Sequence, residues 1–385
     1  VNLDVRSRGQ IRTLIDATAV PADRGGVGRY VDGIISAFEG EIVVACQKRD
    51  ADHFRHIAPT AVVAPQSPGI ESTVRRLLWE QFALPRLARR LGVDVVHSPH
   101  YTLPLLSRLP RVVTFHDATF FSDPKVHTRL KRLFFTTWIR ISTRLADAVI
   151  VPSRATADEV TRYVDRPRGY VVAHHGVDRS TFSPPSAQQI EQISARLGVN
   201  GGTWLAFLGT IEPRKNVPAL VRAYGMICAR WDDADGQVPV LVLAGSQGWE
   251  QDLSEEISRV TRGRVIRTGF LPVDELPGLL GGSLVLCYPS LGEGFGLPVL
   301  EGMSCGATVL TTARLALPEI GGDAVAYSDV TDTSIADELM RLISDQDRRH
   351  ALSLAGIERA AKFTWRTSAR IHQRAYSDAA LRAKR

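Results

Sequence analysis

The sequence predicts an α/β chain of two doubly wound domains. Three observations carry that prediction. Short apolar, β-branched runs recur along the chain, longer amphipathic stretches separate them, and the alternation breaks near the middle and starts again. A run that is apolar throughout reads as a strand covered on both faces, as in a parallel sheet flanked by helices. Strand–helix alternation of this kind is the pattern of doubly wound folds.

In the first half, strands read at Arg12–Asp16, Ile42–Cys46, Ala61–Ala64, Asp94–His97, Arg111–Phe115, Ala148–Val151 and Tyr170–Ala173. Helical periodicity occupies Gly28–Phe38, Arg75–Leu91 and Thr128–Leu145, where apolar residues return every three or four positions. The stretch 176–200 breaks the pattern. Phe182-Ser-Pro-Pro-Ser186 and the glycines between Gly198 and Gly202 read as linker. A second series of strands follows at Trp204–Leu208, Val240–Ala244, Val265–Thr268, Leu284–Tyr288 and Thr308–Thr311, with helices at Val217–Ala229 and Ile335–Ile343. Trp365–Arg385 has helix-forming composition and no strand after it, which suits a terminal helix packed on either domain.

Composition excludes several classes. With 44% hydrophobic and 23% charged residues and a mean hydropathy of −0.04, the chain is neither disordered, collagen-like nor a coiled coil. Its 385 residues suit two domains with a core each. No run approaches the ~18 apolar residues of a membrane-spanning helix, and the N-terminus alternates charged and apolar residues, unlike a secretory signal. Cys46, Cys228, Cys287 and Cys305 lack metal or redox spacing and sit in or beside apolar stretches. They read as buried free thiols of a cytoplasmic protein. Residues 1–197 hold 27 basic and 19 acidic side chains (27 − 19 = +8), and residues 198–385 hold 20 and 22 (20 − 22 = −2). A basic first half suggests an anionic partner: phospholipid headgroups, a phosphorylated acceptor or nucleic acid.

Four stretches carry candidate chemistry. Ser290-Leu-Gly-Glu-Gly-Phe-Gly-Leu-Pro-Val-Leu-Glu301 follows an apolar strand and enters a helix at about Pro298. A glycine loop entering a helix aims backbone N–H groups at an anion, so a phosphate site is the physical reading. Glu293 and Glu301 then grip hydroxyls of a sugar attached to that phosphate. An ordinary strand–helix connection is the competing reading. In Phe207-Leu-Gly-Thr-Ile-Glu-Pro-Arg-Lys-Asn216, the cations Arg214 and Lys215 stand at a helix N-terminus, where the dipole disfavours them. An anionic ligand resolves the conflict; a solvated basic pair is the alternative. Ala22-Asp-Arg-Gly-Gly-Val-Gly-Arg-Tyr30 follows the first strand and lacks the third glycine of a dinucleotide fingerprint, but Gly25 and Gly26 permit close backbone approach to a ligand. Val112-Val-Thr-Phe-His-Asp117 ends a strand in His116 and Asp117, at the edge where open α/β sheets bind ligands. A strand-end histidine is more often structural, and the same holds for His97, His100, His174 and His175. Asp233-Ala-Asp235 lies in a polar turn and reads as a solvated loop, so no metal is expected.

In this order the four stretches resemble the retaining GT-B glycosyltransferases of family 4, over nearly the whole chain. The strongest element is Glu293 with Glu301 eight positions on, followed by Gly302-Met-Ser-Cys-Gly306. The resemblance implies two Rossmann-like domains facing across a cleft. Residues 1–180 form the acceptor-binding domain, with 366–385 crossing back to it, and 198–365 the nucleotide-sugar domain. It also implies that Glu293 and the backbone of Gly294, Phe295, Gly296 and Leu297 hold the donor sugar. Glu301 takes the ribose and Lys215 the diphosphate. His116 lies near the sugar, Gly25 and Gly26 near phosphate and sugar, and Gly269, Phe270 and Leu271 at the base. Many members carry Arg directly after the glycine equivalent to Gly209. Here that residue is Thr210, and Arg214 is the nearest substitute. The Pro-Arg-Lys-Asn form resembles a mannosyltransferase-type subgroup of bacterial surface-glycan enzymes.

The expected activity is therefore metal-independent, retaining transfer of a hexose, mannose from GDP-mannose, to a glycan or lipid-linked acceptor. UDP-glucose or another nucleotide sugar is the alternative donor. An inverting reaction would need a base, and Asp117 or Asp16 would be the candidates. Arg129-Leu-Lys-Arg-Leu-Phe-Phe-Thr-Thr-Trp-Ile-Arg140, with Arg75-Arg76-Leu-Leu-Trp79 and Arg86–Arg90, suits peripheral contact with an anionic membrane on the cytoplasmic face. The competing reading packs Leu133, Phe134, Trp138 and Ile141 in the core. A phosphorylase would need a pyridoxal-phosphate lysine, which nothing here marks. A nucleic-acid-binding protein, suggested by a pI of 9.3, would cluster its basic residues on one recognition element, whereas these spread through the α/β units.

Overall fold

The computed structural model describes residues 11–122, 128–166, 168–199, 201–232, 236–248 and 252–383. The chain divides into two compact units. One takes the chain as far as Gly176 and resumes at Thr364, and the other is Val177–Phe363.

Among the described residues, the first unit contains a seven-stranded sheet of β1 (Thr13–Asp16), β2 (Ile42–Gln47), β3 (Val62–Gln66), β4 (Val95–Ser98), β5 (Arg111–Thr114), β6 (Ala148–Val151) and β7 (Val171–Val172). The order is β3-β2-β1-β4-β5-β6-β7, and every neighbouring pair is parallel. The central strands are buried throughout because helices cover both faces. On one face Ile15 and Val44 meet Tyr30, Val31 and Ile34 of the helix Gly25–Ser36. On the other, Leu14, Val43 and Val96 meet Leu84 and Leu87 of the helix Thr73–Arg90. Val113 and Val149 meet Ile139 of the helix Arg129–Leu145. The terminal helix Trp365–Ala383 belongs to this unit. Its Ala375, Tyr376, Ala379 and Ala380 pack on Val95, Val112, Ala148 and Ile150.

The second unit repeats the plan. Its strands are β8 (Trp204–Leu208), β9 (Val240–Ala244), β10 (Val265–Gly269), β11 (Val285–Tyr288), β12 (Val309–Thr312) and β13 (Ala326–Ser328). Among the described residues they form a six-stranded parallel sheet in the order β10-β9-β8-β11-β12-β13. In both sheets the chain starts centrally, winds to one side, then returns to wind the other way. The reversal falls between β1 and β4 in the first sheet and between β8 and β11 in the second. Ligands of open α/β sheets bind beyond the strand carboxyl ends at such a reversal. At that edge Gly245, which follows β9, has φ +138°, and a Cβ there would lie 2.1 Å from the carbonyl oxygen of Gly209. Only glycine lets the chain ends after β8 and β9 approach this closely.

Three local expectations are corrected. Residues 187–197, inside the stretch where the pattern breaks and given no element there, form the helix Ala187–Leu197 of the second unit. Ser186 and Gln189 make a capping box and Gly198 ends the helix at φ +62°, but the polar run after Ala187 hides its period. Gly25 and Gly26 form the first turn of their helix rather than a loop, because the reversal of the chain is taken by Arg24 at φ +57°. Strand β13 has no counterpart among the expected strands, because Ala-Tyr-Ser is too short and too weakly apolar to signal one.

Candidate active site

The reversal in the second sheet brings two loops together. One leaves β8 as Gly209–Glu212, makes a short 3-10 turn at Pro213–Lys215, and enters the helix Val217–Arg230 through Asn216 at φ +57°. The other leaves β11 and enters the helix Leu297–Ser304 through Gly296. Leu291 N–H and the Ser290 hydroxyl both donate to the Arg214 carbonyl, at 2.8 and 3.0 Å, and so tie the loops together. Gly296 has φ +99°, and a Cβ there would sit 2.8 Å from Leu317 Cδ2, so both conformation and space require glycine. Pro298 occupies the second helical position, where it gives up no intrahelical bond.

Two candidate residues converge here on the carboxylate of a third, Glu293. Lys215 Nζ donates to Glu293 Oε1 at 2.7 Å, and Arg214 Nη1 donates to Glu293 Oε2 at 2.5 Å. Arg214 Nη2 also donates to Glu212 at 2.7 Å. Two further residues complete the cluster. Ser290 donates to Glu293 Oε1 at 2.7 Å, and Tyr288 does so at 3.0 Å while accepting from Lys215. Tyr288 and Ser290 stand in the sequence as the end of a strand and the start of a loop. What marks them is that they flank the carboxyl end of β11 beside the reversal, which becomes visible only once the strand order is known.

The electrostatics follow from burial. Glu293 and Lys215 are 7% and 8% exposed. Burial alone pushes the Glu293 carboxyl up. The charges of Arg214 and Lys215, with hydrogen bonds from Lys215 and Ser290, outweigh it and hold the group at about 2. Burial, then the Arg214 charge, pulls the Lys215 ammonium below its ordinary range, against the opposing pull of Glu293. Burial and the Glu293 charge push the Tyr288 phenol well up. Two cations at a helix N-terminus lead one to expect a ligand as countercharge. In the structure Glu293 and Glu212 provide it.

The remaining candidates of this unit lie along the same sheet edge or on the adjoining helix. Thr210 is exposed directly after Gly209. Glu301 is 2% exposed, in the helix that Gly296 caps. Gly294 is buried, and the Phe295 ring packs edge-on against Phe363, with Leu297 buried after it. Gly269 closes β10 at φ +67°, Phe270 is 61% exposed, and Leu271 is buried.

Five more candidates belong to the first unit. Gly25 and Gly26 are exposed at the start of their helix. His116, just beyond β5, bonds through Nε2 to the Pro99 carbonyl at 2.8 Å and lies edge-on to Tyr30. Burial lowers its pKa. Asp117 Oδ1 accepts from the backbone and hydroxyl of Thr119 at 3.2 and 2.9 Å, closing a turn. Asp16 binds Thr18 in the same way through Oδ1, and its Oδ2 lies 3.6 Å from His100 Nε2. Asp233 and Asp235 lie outside the described residues. Among the described residues, no group of three or more His, Cys, Asp or Glu is arranged to hold a metal ion.

Comparison with known proteins bears on both units. Residues 24–181 match the model of glycosyltransferase family 4, and residues 189–359 match that of glycosyl transferases group 1. The chain is 31% identical over 275 residues to the O-antigen chain mannosyltransferase B of Escherichia coli, covering 70% of this chain and 71% of that one. It is 26% identical over 375 residues to the alpha-maltose-1-phosphate synthase of Mycolicibacterium smegmatis, covering 90% and 93%. The crystal structure of Anabaena HepE in complex with UDP-glucose is similar at a TM-score of 0.77 and 17% identity, over 94% of this chain and 99% of that one. WaaG, a glycosyltransferase involved in lipopolysaccharide biosynthesis, is similar at 0.71 and 15%, over 94% and 98%. The chain belongs to the GT-B glycosyltransferases of family 4 and is related to bacterial mannosyltransferases.

Proposed function

We propose that this glycosyltransferase moves a hexose from a nucleotide sugar to a hydroxyl of a glycan or lipid-linked acceptor, with retained anomeric configuration and without a metal ion. The observation that carries the reading is the buried contact of Lys215 and Arg214 with Glu293 at the reversal of the second sheet. In this reading the two cations take the diphosphate, and the countercharge of the leaving group comes from side chains rather than a bound ion. Glu293 then turns to the sugar hydroxyls, Glu301 holds the ribose, and the Gly269–Leu271 turn meets the base. His116 and the turn at Gly25 and Gly26 serve the sugar and phosphate from the first unit.

The bond from the anomeric carbon to the diphosphate oxygen breaks while the acceptor oxygen forms the new bond on the same face. The departing phosphate oxygen takes the acceptor proton. Lys215 and Arg214 stabilise the charge that develops, and loss of one such preorganised donor costs about 10²–10³ in rate. Lys215→Ala should therefore lower kcat by about that factor, and turnover within twofold of the parent would overturn the assignment. The reaction belongs in the cytoplasm, a reducing compartment that suits four buried free thiols.

The donor this reading favours is UDP-glucose, supported by the similar crystal structure of HepE, which is a complex with it. GDP-mannose is the second reading, supported by identity to the O-antigen mannosyltransferase. A thermal-shift panel of UDP, GDP, ADP and dTDP decides between them. At 100 times its dissociation constant the right nucleotide adds about 2.7 kcal/mol of stability. If none of the four raises the melting temperature, the nucleotide-sugar reading fails.

A further inference from the structure

The first sheet carries a second polar cluster, at the carboxyl ends of β1 and β4 where the winding reverses. Asp16 closes β1 and Ser98 closes β4, both fully buried. Glu80, also fully buried, reaches the same place from the helix Thr73–Arg90. His100, just beyond β4, is 9% exposed. Its Nε2 lies 3.6 Å from Asp16 Oδ2 and 3.9 Å from Glu80 Oε2, so both carboxylates stand beside one imidazole nitrogen. Neither distance is a hydrogen bond. Arg76 Nη1 takes that nitrogen instead, at 3.2 Å. A guanidinium only donates, so His100 Nε2 accepts and the ring proton sits on Nδ1.

The cluster leaves hydrogen-bonding capacity open. Asp16 Oδ1 is satisfied by Thr18, and Glu80 Oε2 accepts from the Thr102 hydroxyl at 2.8 Å. Among the described residues, Asp16 Oδ2, Glu80 Oε1, His100 Nδ1 and Ser98 Oγ are buried and meet no hydrogen-bonding group. Buried polar atoms are nearly always paired, and such atoms gathered at a strand reversal mark a place for a ligand. Burial pushes the Asp16 carboxyl above its ordinary range, a shift that a donated hydrogen bond would oppose. The open atoms describe the ligand. Two carboxylate oxygens call for donors, while the imidazole N–H and the serine hydroxyl can meet an acceptor. Two carboxylates against one guanidinium leave an excess of negative charge, which repels an anion. A sugar ring offers hydroxyls that donate and accept without carrying charge.

The segment after β4 links this cluster to the end of β5. His116 Nε2 donates to the Pro99 carbonyl at 2.8 Å, and Asp117 N–H donates to the Tyr101 hydroxyl at 3.1 Å. A sugar held by the cluster would therefore lie beside the segment that fixes His116, the first unit's candidate for the transferred hexose. Arg76, its side chain 14% exposed, is the outermost member of the cluster and the group an entering ligand displaces. We propose that Asp16 and Glu80 select the acceptor: their open oxygens take hydrogen bonds from hydroxyls of an uncharged sugar unit, which in turn accepts from His100 Nδ1–H. The proposal rests on the reading of the chain as transferring a hexose to an acceptor hydroxyl, and it holds for either donor. It gives both carboxylates a binding role and requires neither to act as a base.

The test titrates the full chain with the methyl α-glycosides of mannose, glucose, galactose and N-acetylglucosamine, followed by saturation-transfer NMR. At least one glycoside should bind. Asp16→Asn and Glu80→Gln keep the side-chain shapes and should each weaken that binding at least about tenfold, the loss of one hydrogen bond to a charged acceptor. Neither should lower the melting temperature, because each replaces a buried carboxylate that has an unpartnered oxygen. A purely structural role predicts the opposite pair of results, a lower melting temperature with binding intact. Both variants should keep the parent's nucleotide shift, which separates failure of this assignment from failure of the donor reading. Asp52→Asn alters an exposed carboxylate on the helix Ala51–Ile57 and should leave glycoside binding unchanged. Binding that survives both substitutions would place the sugar elsewhere and overturn the proposal. So would the absence of binding by all four glycosides, because the open oxygens would then serve trapped water alone.

Discussion

The two oxygens of Glu293 take the charges of Lys215 and Arg214. On the proposed reading, in which those cations hold the diphosphate, the arriving ligand would displace the carboxylate. Glu293→Gln keeps the shape and removes the charge. It should bind a bare nucleoside diphosphate about tenfold more tightly, a gain of ~1.4 kcal/mol, while turnover falls at least about 100-fold because the hydroxyl acceptor is weakened. Without ligand the variant should be less stable, since removing one partner of a buried pair typically costs about 3–5 kcal/mol. Isothermal titration with the diphosphate and a melt in its absence measure both, and an unchanged affinity would show that carboxylate and phosphate do not compete. Lys215 and Glu293 were legible in the sequence because charge at a helix start and carboxylate in a glycine loop are local signals. That they satisfy each other was not, since 78 residues separate them and only the strand order brings β8 beside β11.

At the scale of elements, the terminal helix is joined to the first sheet by a hydroxyl–imidazole chain. Tyr376 Oη meets His97 Nδ1 at 2.8 Å, His97 Nε2 meets Thr114 Oγ1 at 2.9 Å, Thr114 meets Tyr30 Oη at 2.8 Å, and Tyr30 meets His372 Nε2 at 2.8 Å. His372 Nδ1 donates to the Ser368 carbonyl at 2.8 Å. With both imidazoles neutral, one ordering satisfies every bond. Tyr376 donates to His97, His97 to Thr114, Thr114 to Tyr30, and Tyr30 to His372. A proton added to either histidine removes an acceptor from that series. Burial lowers the pKa of His97 and His372, that of His372 to about 4, and it lowers those of His116 and His175 nearby. The unfolded chain then binds more protons below pH 6.5, so stability is complete above that value and declines as pH falls toward 4. His372 alone accounts for about 2 kcal/mol between pH 6.5 and 5. The melting temperature should fall steadily over that interval, and His372→Gln, destabilised at pH 8, should show a shallower slope. A flat melting temperature from pH 7.5 to 5 would contradict the neutral assignment. The strands of this unit were readable because all-apolar runs mark buried parallel strands. The chain of side chains was not, because Tyr30, His97, Thr114 and His372 occupy four separate elements, and each alone reads as an ordinary core residue.

At the scale of the molecule, the division into two units makes the last helix a structural part of the first. A chain ending at Gly176 would leave Val95, Val112, Ala148 and Ile150 facing water where Ala375, Tyr376, Ala379 and Ala380 now cover them. Burial of side chains of this size contributes roughly 1.5–3 kcal/mol each for the larger ones, against a net stability of only about 5–15 kcal/mol for a domain. The first unit should therefore fail to fold as residues 1–176 alone. Residues 177–363 carry all of β8–β13 together with Arg214, Lys215, Tyr288, Ser290 and Glu293. They should fold alone and keep nucleotide affinity. The expected outcome is a cooperative melt for 177–363, raised by about 5–10 °C with saturating nucleotide. Residues 1–176 should be aggregated until residues 364–385 are restored through a flexible linker. A soluble, cooperatively melting 1–176 fragment would mean that the terminal helix is dispensable. A 177–363 fragment that folds and ignores every nucleotide would mean that the carboxylate cluster is a structural ion pair and not the diphosphate site.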